Sequence, residues 1–499
     1  MASDFSDIFK QVKKNNGQAQ FAEVQRKREI SEEMKELGLT EDEYTEFLKK
    51  RDSYKPTLYD ATLMLDDVIT GEISNRLALF TSWILSQNCH FIEGPSSSGK
   101  TAIMDAVIGL VMPSEVLRID NASDKAIYDQ RREIERATYI IMNEVNKINA
   151  NMFEILKDWS EKKSSLYARA GGLGSNLEKI ELPYRCFSFS KADESATVEV
   201  PQELIYRLVE ITVDSSQEQT KKVLSRKAQN IEDPFSIKHV NTLERSLMRY
   251  HISTMPKNLI YVNPMGQKLI ETIPTVFTSS RRDFDKYVNN INGIAKYYYK
   301  ARMQVMIDGK EVQFITPADL ALNQIVFGDI LVKSSLHCSD LDKIILQVIK
   351  NGGSLDKKQI QINLRKCSIN TTVKNINKRL DELVDVGYLE SEKDNTKIFY
   401  SVSNFYKEFV INPDFRAIVD YAKQQMRENE KFKPYAEEYI KNYCEDDKLN
   451  IIDPFTGLVI NILTYDYSSQ LEIEMDDTRL KTVRDESIKL NDMSLNQWF

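Results

Sequence analysis

The sequence predicts an α/β core on a mostly parallel sheet, closed by a helical lid, preceded by a helical N-terminal segment and followed by a smaller α+β unit. Three observations lead there. Short β-rich runs alternate with helical patterns between residues 56 and 213. A glycine-bracketed loop at 94–101 joins one of those runs to a helix with apolar positions Ile103, Ala106, Val107 and Leu110. Residues 339–402 read as three helices followed by two short strands. At 499 residues the chain exceeds one compact core, and about 150 residues per domain gives about three units. Hydrophobic residues at 41% and charged residues at 28% exclude a disordered or membrane-embedded chain.

In chain order, residues 1–55 read as helices with polar faces. Thr40 followed by Glu43 is a capping-box pattern that opens a helix carrying Tyr44, Phe47 and Leu48, and Lys55-Pro56 breaks it. The core over 56–213 holds β-rich runs at His90–Glu93, Val116–Ile119, Thr138–Met142 and Cys186–Ser190. Strands separated by helices indicate a parallel sheet. The apolar stretch Leu77–Leu85 is interrupted by Thr81 and Ser82 and is about half a membrane span. Residues 214–333 turn mostly helical, as a lid does. Residues 403–447 continue as a helical extension, and 448–499 read as an acidic tail, with six basic against twelve acidic residues over 441–499. Met1-Ala2-Ser3-Asp4 runs straight into a charged helical pattern, so no secretory leader is expected. Five scattered cysteines without a Cys-x-x-Cys pair argue against a disulfide framework or structural zinc and point to a reducing, cytoplasmic setting. A net charge of −8 excludes a uniformly basic nucleic-acid coat but not local basic surfaces.

The chemistry concentrates in two places. Gly94-Pro95-Ser96-Ser97-Ser98-Gly99-Lys100-Thr101 matches the phosphate-loop pattern G-x-x-x-x-G-K-[ST] and stands between a strand and a helix, as that chemistry requires. Glycines let backbone N–H groups wrap phosphates at the positive end of the helix. Lys100 is expected on the β- and γ-phosphates of ATP, and Thr101 on Mg²⁺. Further on, Thr138-Tyr139-Ile140-Ile141-Met142 is an apolar strand ending in Asn143-Glu144. Glu144 sits where a general base orients water toward the γ-phosphate. Asn143 keeps an acceptor oxygen for the metal without the charge of an Asp.

From Tyr139 to Lys163 the text resembles the Walker-B strand and following helix of AAA+ ATPases of the presensor-1 hairpin group, which includes the minichromosome-maintenance (MCM) helicases and the MoxR and McrB ATPases. That resemblance covers about residues 56–330. It implies a β-hairpin at Ser164–Leu182 around a glycine-rich tip, with Arg169 in the place of the residue that grips DNA in the helicases' channel. Val200-Pro201-Gln202-Glu203-Leu204-Ile205-Tyr206-Arg207 is similar to the family's arginine-finger segment, so Arg207 is implied to reach a neighbour's nucleotide in a ring, a hexamer by analogy. Thr278–Val288 resembles the sensor-2 helix, with Arg282 in the better register, and Thr316-Pro317-Ala318-Asp319 resembles the start of the helix closing that subdomain. Ser190, or Lys191, stands where sensor 1 usually offers Asn. The chain has no room between Val116 and Ala137 for the MCM helix-2 insertion, and about 55 helical residues replace the zinc-bearing N-terminal module.

The unit at 339–402 has the order of a winged helix: Asp340–Ile349, Asp356–Lys366 and Asn370–Val386 as helices, then strands at Glu390–Thr396 and Lys397–Val402. Its third helix would face a DNA groove with Lys374, Lys378 and Arg379 exposed. Nine basic against seven acidic residues from Asp356 to Lys397 make the electrostatic case modest, and a protein contact is the other use of this fold. The final residues, Asp492-Met-Ser-Leu495-Asn-Gln-Trp498-Phe499, resemble a box that binds a sliding clamp of the PCNA type. The combined expectation is an ATP- and Mg²⁺-dependent ring motor on DNA, an MCM-like helicase in replication, nucleoid-associated and without membrane contact. Two alternatives stand beside it: an AAA+ initiator or loader, and a MoxR/McrB-like remodelling ATPase.

Overall fold

The computed structural model describes residues 28–119, 127–128, 130–143, 150–169, 178–192, 200–214, 216–233, 242–273, 280–336, 340–366, 373–385, 387–394, 397–403 and 413–467. Its centre is a five-stranded, all-parallel sheet. In chain order the strands are β1 (His90–Gly94), β2 (Val116–Arg118), β3 (Tyr139–Met142), β6 (Cys186–Ala192) and β7 (Val209–Thr212), and in space they run β2-β3-β6-β1-β7. Ile92, Ile140, Ile141, Phe187, Phe189 and Ile211 are buried. A parallel sheet covered on both faces calls for such continuous apolar runs. The helix Lys100–Ile108 covers one face, where Ser188 Oγ meets Met104 Sδ at 3.4 Å. Ala150–Ser160 covers the other, with Trp159 and Phe187 ring centroids 6.4 Å apart.

The apolar stretch at 77–85 is a core helix: Ile73–Leu79 continues into a π-helical segment, Phe80–Leu85, with Trp83 fully buried. The hairpin expected from the sequence is present as β4 (Ser165–Arg169) and β5 (Glu178–Leu182), paired antiparallel from Ser165↔Leu182 to Arg169↔Glu178. Helices 28–37 and Glu41–Lys50 form a small separate core, Leu37, Leu39, Tyr44 and Phe47 packing on Leu247 of the helix Thr242–Ser253. The Thr40–Glu43 capping box opens the second of them.

Two expectations need correction. Residues 214–333 are not all helical. Besides Gln217–Glu232, Thr242–Ser253, Ser280–Tyr297 and Pro317–Leu336, they carry a three-stranded sheet of β8 (Ile260–Val262), β9 (Gln304–Ile307) and β10 (Lys310–Phe314). The β9–β10 hairpin turns at Asp308-Gly309, both at positive φ (51° and 72°), the geometry that a tight two-residue turn demands. Nor does an acidic tail begin at 448. Asn450–Ile452 (β14) and Val459–Asn461 (β15) pair as a hairpin that folds back on the core, where Thr62 Oγ1 donates to Pro454 O at 2.7 Å. Leu449, Ile451, Ile462 and Tyr467 are buried there, and that burial outweighs the segment's charge.

The helices Phe415–Glu428 and Ala436–Tyr443 pack on the lid, Tyr439 Oη donating to Ile315 O at 2.7 Å. Beside them a fully buried Asp319 accepts from Arg302 Nε (3.0 Å), Arg302 Nη2 (2.5 Å) and Thr316 N (2.9 Å). Removing one partner of such a pair costs about 3–5 kcal/mol. The helices Asp340–Gly352, Lys357–Lys366 and Val373–Asp385 accompany an antiparallel sheet of order β11-β13-β12, with β11 Ser354–Asp356, β12 Leu389–Asp394 and β13 Lys397–Val402.

Candidate functional site

The loop after β1 is shaped for phosphate. Gly94 (φ 156°), Ser97 (φ 65°) and Gly99 (φ 99°) take conformations that turn the backbone around a small volume. The helix that follows has Gly99 as its N-cap and no side chain bonding to its first turn. The leading N–H groups of a helix have no intrahelical acceptor, and a glycine N-cap offers them no side-chain oxygen, which suits anion binding there. Lys100 is buried, and its Nζ curls back to donate to Gly94 O (2.8 Å) and Pro95 O (2.6 Å), holding its charge inside the loop. Thr101 is exposed in the first turn, as are Ser96 and Ser97 in the loop. A loop of N–H donors, an interior ammonium and a first-turn hydroxyl suit a nucleotide triphosphate with its magnesium. Asn143 ends β3 two strands away, at the same C-terminal edge of the sheet. Glu144 lies outside the described residues.

Ser190 is buried within β6, in register with Ile92, and Lys191 stands opposite Glu93. Glu93 and Glu210 share one face of β1 and β7, since Phe91 pairs with Glu210 and Glu93 with Thr212. Burial and the adjacent Glu93 push the Glu210 carboxyl up to about 8, against the pull of Arg379 and Lys286. This pair directly beneath the loop gave no signal in the sequence, where each is one more charged residue.

Arg207 and Arg282 are at the other end of the sheet. Val213 lies beside Gly94: a Cβ on that glycine would sit 3.5 Å from Val213 Cβ. Val209 N donates to Cys89 O, just before β1 begins. Between those two levels β7 spans four residue steps, about 13 Å at ~3.3 Å each, and Arg207 lies beyond the far one. Its guanidinium is drawn to Glu161 and Glu203, away from its own chain's loop. The helix Ser280–Tyr297 begins at the same end, since Asn88 Nδ2 donates to Lys286 O at 3.3 Å. Arg282 is exposed there. The Lys163 hydrogen bond and the charges of Arg207 and Arg282 hold the Glu161 carboxyl below its ordinary range. Tyr287 is buried, with Phe284 and Val288 partly so, which is the register that favoured Arg282 in the sequence.

The other predicted residues separate. Arg169 closes the described part of its strand opposite Glu178, and its side chain lies outside the described residues, as do Leu495, Trp498 and Phe499. Lys374 and Lys378 are exposed on Val373–Asp385. Arg379 is not exposed as expected. It pairs with Asp342 (3.5 Å) and Glu382 (3.3 Å), and Glu93 and Glu210 also act on it, so four carboxylates hold it toward protein. No helix among the described residues is long and apolar enough to cross a membrane.

Sheet order, loop geometry and helix N-terminus together define an α/β core of the phosphate-loop kind. No model of a known protein family matches the chain, and no curated protein matches it in sequence. Among solved structures it is similar to a candidate ATPase from Cytophaga hutchinsonii, at 14% identity over 57% of this chain and 89% of that one, with a TM-score of 0.34. The functional reading therefore rests on the site's own geometry.

Proposed function

We propose that this chain is an ATP-hydrolysing, ring-forming AAA+ motor of the presensor-1 hairpin type that acts on DNA, as an MCM-like helicase does in replication. The observation that carries the proposal is the separation of the phosphate loop from Arg207 and Arg282, at opposite ends of one sheet. A chain with its phosphate loop at one end and its candidate charge-stabilising arginines at the other completes a hydrolytic site only against a second copy. Repeated head to tail, that contact closes a ring.

In this reading the loop N–H groups and Lys100 bind the β- and γ-phosphates, and Thr101 and Asn143 hold the magnesium. That ion, when bound, neutralises charge on the phosphate oxygens. Glu144 orients the attacking water, Ser190 or Lys191 serves as sensor 1, and the neighbour's Arg207 and Arg282 meet the charge that develops in the transition state. Arg169, next to the hairpin tip, is the strand-gripping cation. The helix–strand–helix–helix–strand–strand order of residues 340–402 supports a winged helix, with the exposed Lys374 and Lys378 the cations that meet phosphate, Lys378 from its pair with Glu382 at 3.6 Å, and Arg379 a contact to the core. Leu495, Trp498 and Phe499 would tether a sliding clamp and bring the motor to the nucleoid.

The test is ATP turnover with and without single-stranded DNA, followed by strand displacement on a forked duplex. The proposal expects DNA-stimulated hydrolysis and displacement. Hydrolysis indifferent to DNA would leave an ATPase of the remodelling kind, and hydrolysis coupled to DNA without displacement would leave an initiator or loader.

A further inference from the structure

Lys286 occupies a place that the nucleotide site does not explain. It is buried on the helix Ser280–Tyr297, and its Nζ donates to Asp283 Oδ1 (3.0 Å), Leu208 O (2.9 Å) and Tyr206 O (3.2 Å). Those three bonds use all three N–H groups of the ammonium. Their destinations are specific: Tyr206 and Leu208 flank Arg207, and Asp283 is the residue after Arg282. One buried cation thus joins the turn that presents the first arginine to the helix end that presents the second.

The rest of that helix is fixed independently. Ser86 Oγ donates to Asn290 Oδ1 at 2.9 Å, and a Cβ on Gly293 would come within 2.9 Å of the backbone at Leu85 and Ser86. The helix is therefore seated against the core without Lys286. The 206–208 turn makes two backbone bonds of its own, Arg207 N to Leu204 O (2.9 Å) and Leu208 N to Ile205 O (3.0 Å). Deleting the ammonium removes a donor from the Tyr206 and Leu208 carbonyls and the neighbouring cation from the buried Asp283, so the turn is the part that shifts.

We infer that Lys286 is a positioning residue that locks Arg207 and Arg282 into a single arginine face for the neighbouring subunit's nucleotide; the inference rests on the inter-subunit site proposed above. A displacement of about 1 Å at such a face costs on the order of 10²-fold in turnover. Lys286→Met is expected to lower kcat of the full-chain ring by that order while leaving KM and ATP affinity within about threefold, because its own phosphate loop is untouched. Lys286→Arg, which keeps a cation, should recover part of the loss. Lys286→Met combined with Arg207→Ala should be little worse than Arg207→Ala alone.

Mixing separates positioning from general damage. Lys286→Met subunits keep a sound loop and Glu144, so Glu144→Gln subunits, whose arginine face is intact, should restore activity in mixed rings. Lysine-variant rings that form yet stay inactive at every mixing ratio would overturn the inference, as would Lys286→Met rings turning over at the wild-type rate while Arg207→Ala rings are inactive. If instead Arg207→Ala retains wild-type turnover, the inter-subunit reading itself fails. Should Lys286→Met not fold, Lys286→Gln, which keeps two N–H donors, is judged by the same three outcomes.

Discussion

Lys100→Ala removes the one charge that the structure holds inside the loop. In place, Nζ lies 2.8 Å from Gly94 O and 2.6 Å from Pro95 O, so a phosphate entering the loop meets an ammonium that is already desolvated and oriented. A unit charge pair at 4 Å is worth about 4 kcal/mol at an effective dielectric of ~20, and charge-assisted hydrogen bonds measured by mutation contribute about 1.5–3 kcal/mol each. A net loss of about 2–4 kcal/mol follows, which is roughly 30- to 1,000-fold in Kd. The assay is equilibrium titration with a fluorescent ATP analogue and magnesium, with adenosine as the control ligand. Adenosine carries no phosphate, so its weaker binding should be unchanged. An ATP affinity within threefold of wild type, or an equal loss for adenosine, would refute the assignment of this loop.

Two further predictions concern other parts of the chain. Glu210 titrates near 8 when folded against 4.5 ordinarily, so the folded chain keeps a proton that the unfolded chain has lost between those values. Stability conferred by this group is full below about pH 4.5 and is lost as pH rises through 8, with a slope of at most ~1.4 kcal/mol per pH unit. Glu210→Gln should flatten the fall of melting temperature between pH 5 and 8, and an unchanged profile would show the proton to be elsewhere. For the tail, a peptide of residues 484–499 should bind the host's sliding clamp at micromolar concentration, and Trp498→Ala with Phe499→Ala should abolish that binding without altering ATP turnover; clamp binding by the double variant would assign the contact to another segment.

Much of the architecture was legible because its signals are local. The phosphate loop is a contiguous motif, and four of the five sheet strands are apolar runs whose positions differ from expectation by one or two residues at the ends, whereas β7, whose Val209 and Ile211 alternate with Glu210 and Thr212, was not among the runs expected. The β9–β10 hairpin was legible too, since Asp308-Gly309 between Gln304–Ile307 and Lys310–Phe314 is a tight-turn signature, but the helical reading of the lid overrode it. The β14–β15 hairpin was masked by charge: Asp453 accepts from Phe455 N (2.7 Å) and Thr456 N (3.1 Å) and so makes a turn, not a solvated acidic patch. The carboxylate contacts of Arg379, the raised Glu210 carboxyl beside Glu93, and the contacts of Lys286 were not legible. Each depends on groups brought together from separate parts of the sequence, 37 residues apart for Arg379 and Asp342 and 78 for Lys286 and Leu208, and a single charged side chain does not announce its partners.

The central claim is that hydrolysis needs Arg207 from one chain and the phosphate loop of another, and mixing Arg207→Ala with Glu144→Gln tests it most directly. Each variant alone should form rings with little ATP turnover. At equal mixing, random assembly pairs an intact arginine face with an intact base at about one interface in four, so about a quarter of wild-type turnover should return. Mixed rings that form and stay inactive at every ratio, or Arg207→Ala rings that hydrolyse ATP at the wild-type rate, would contradict it.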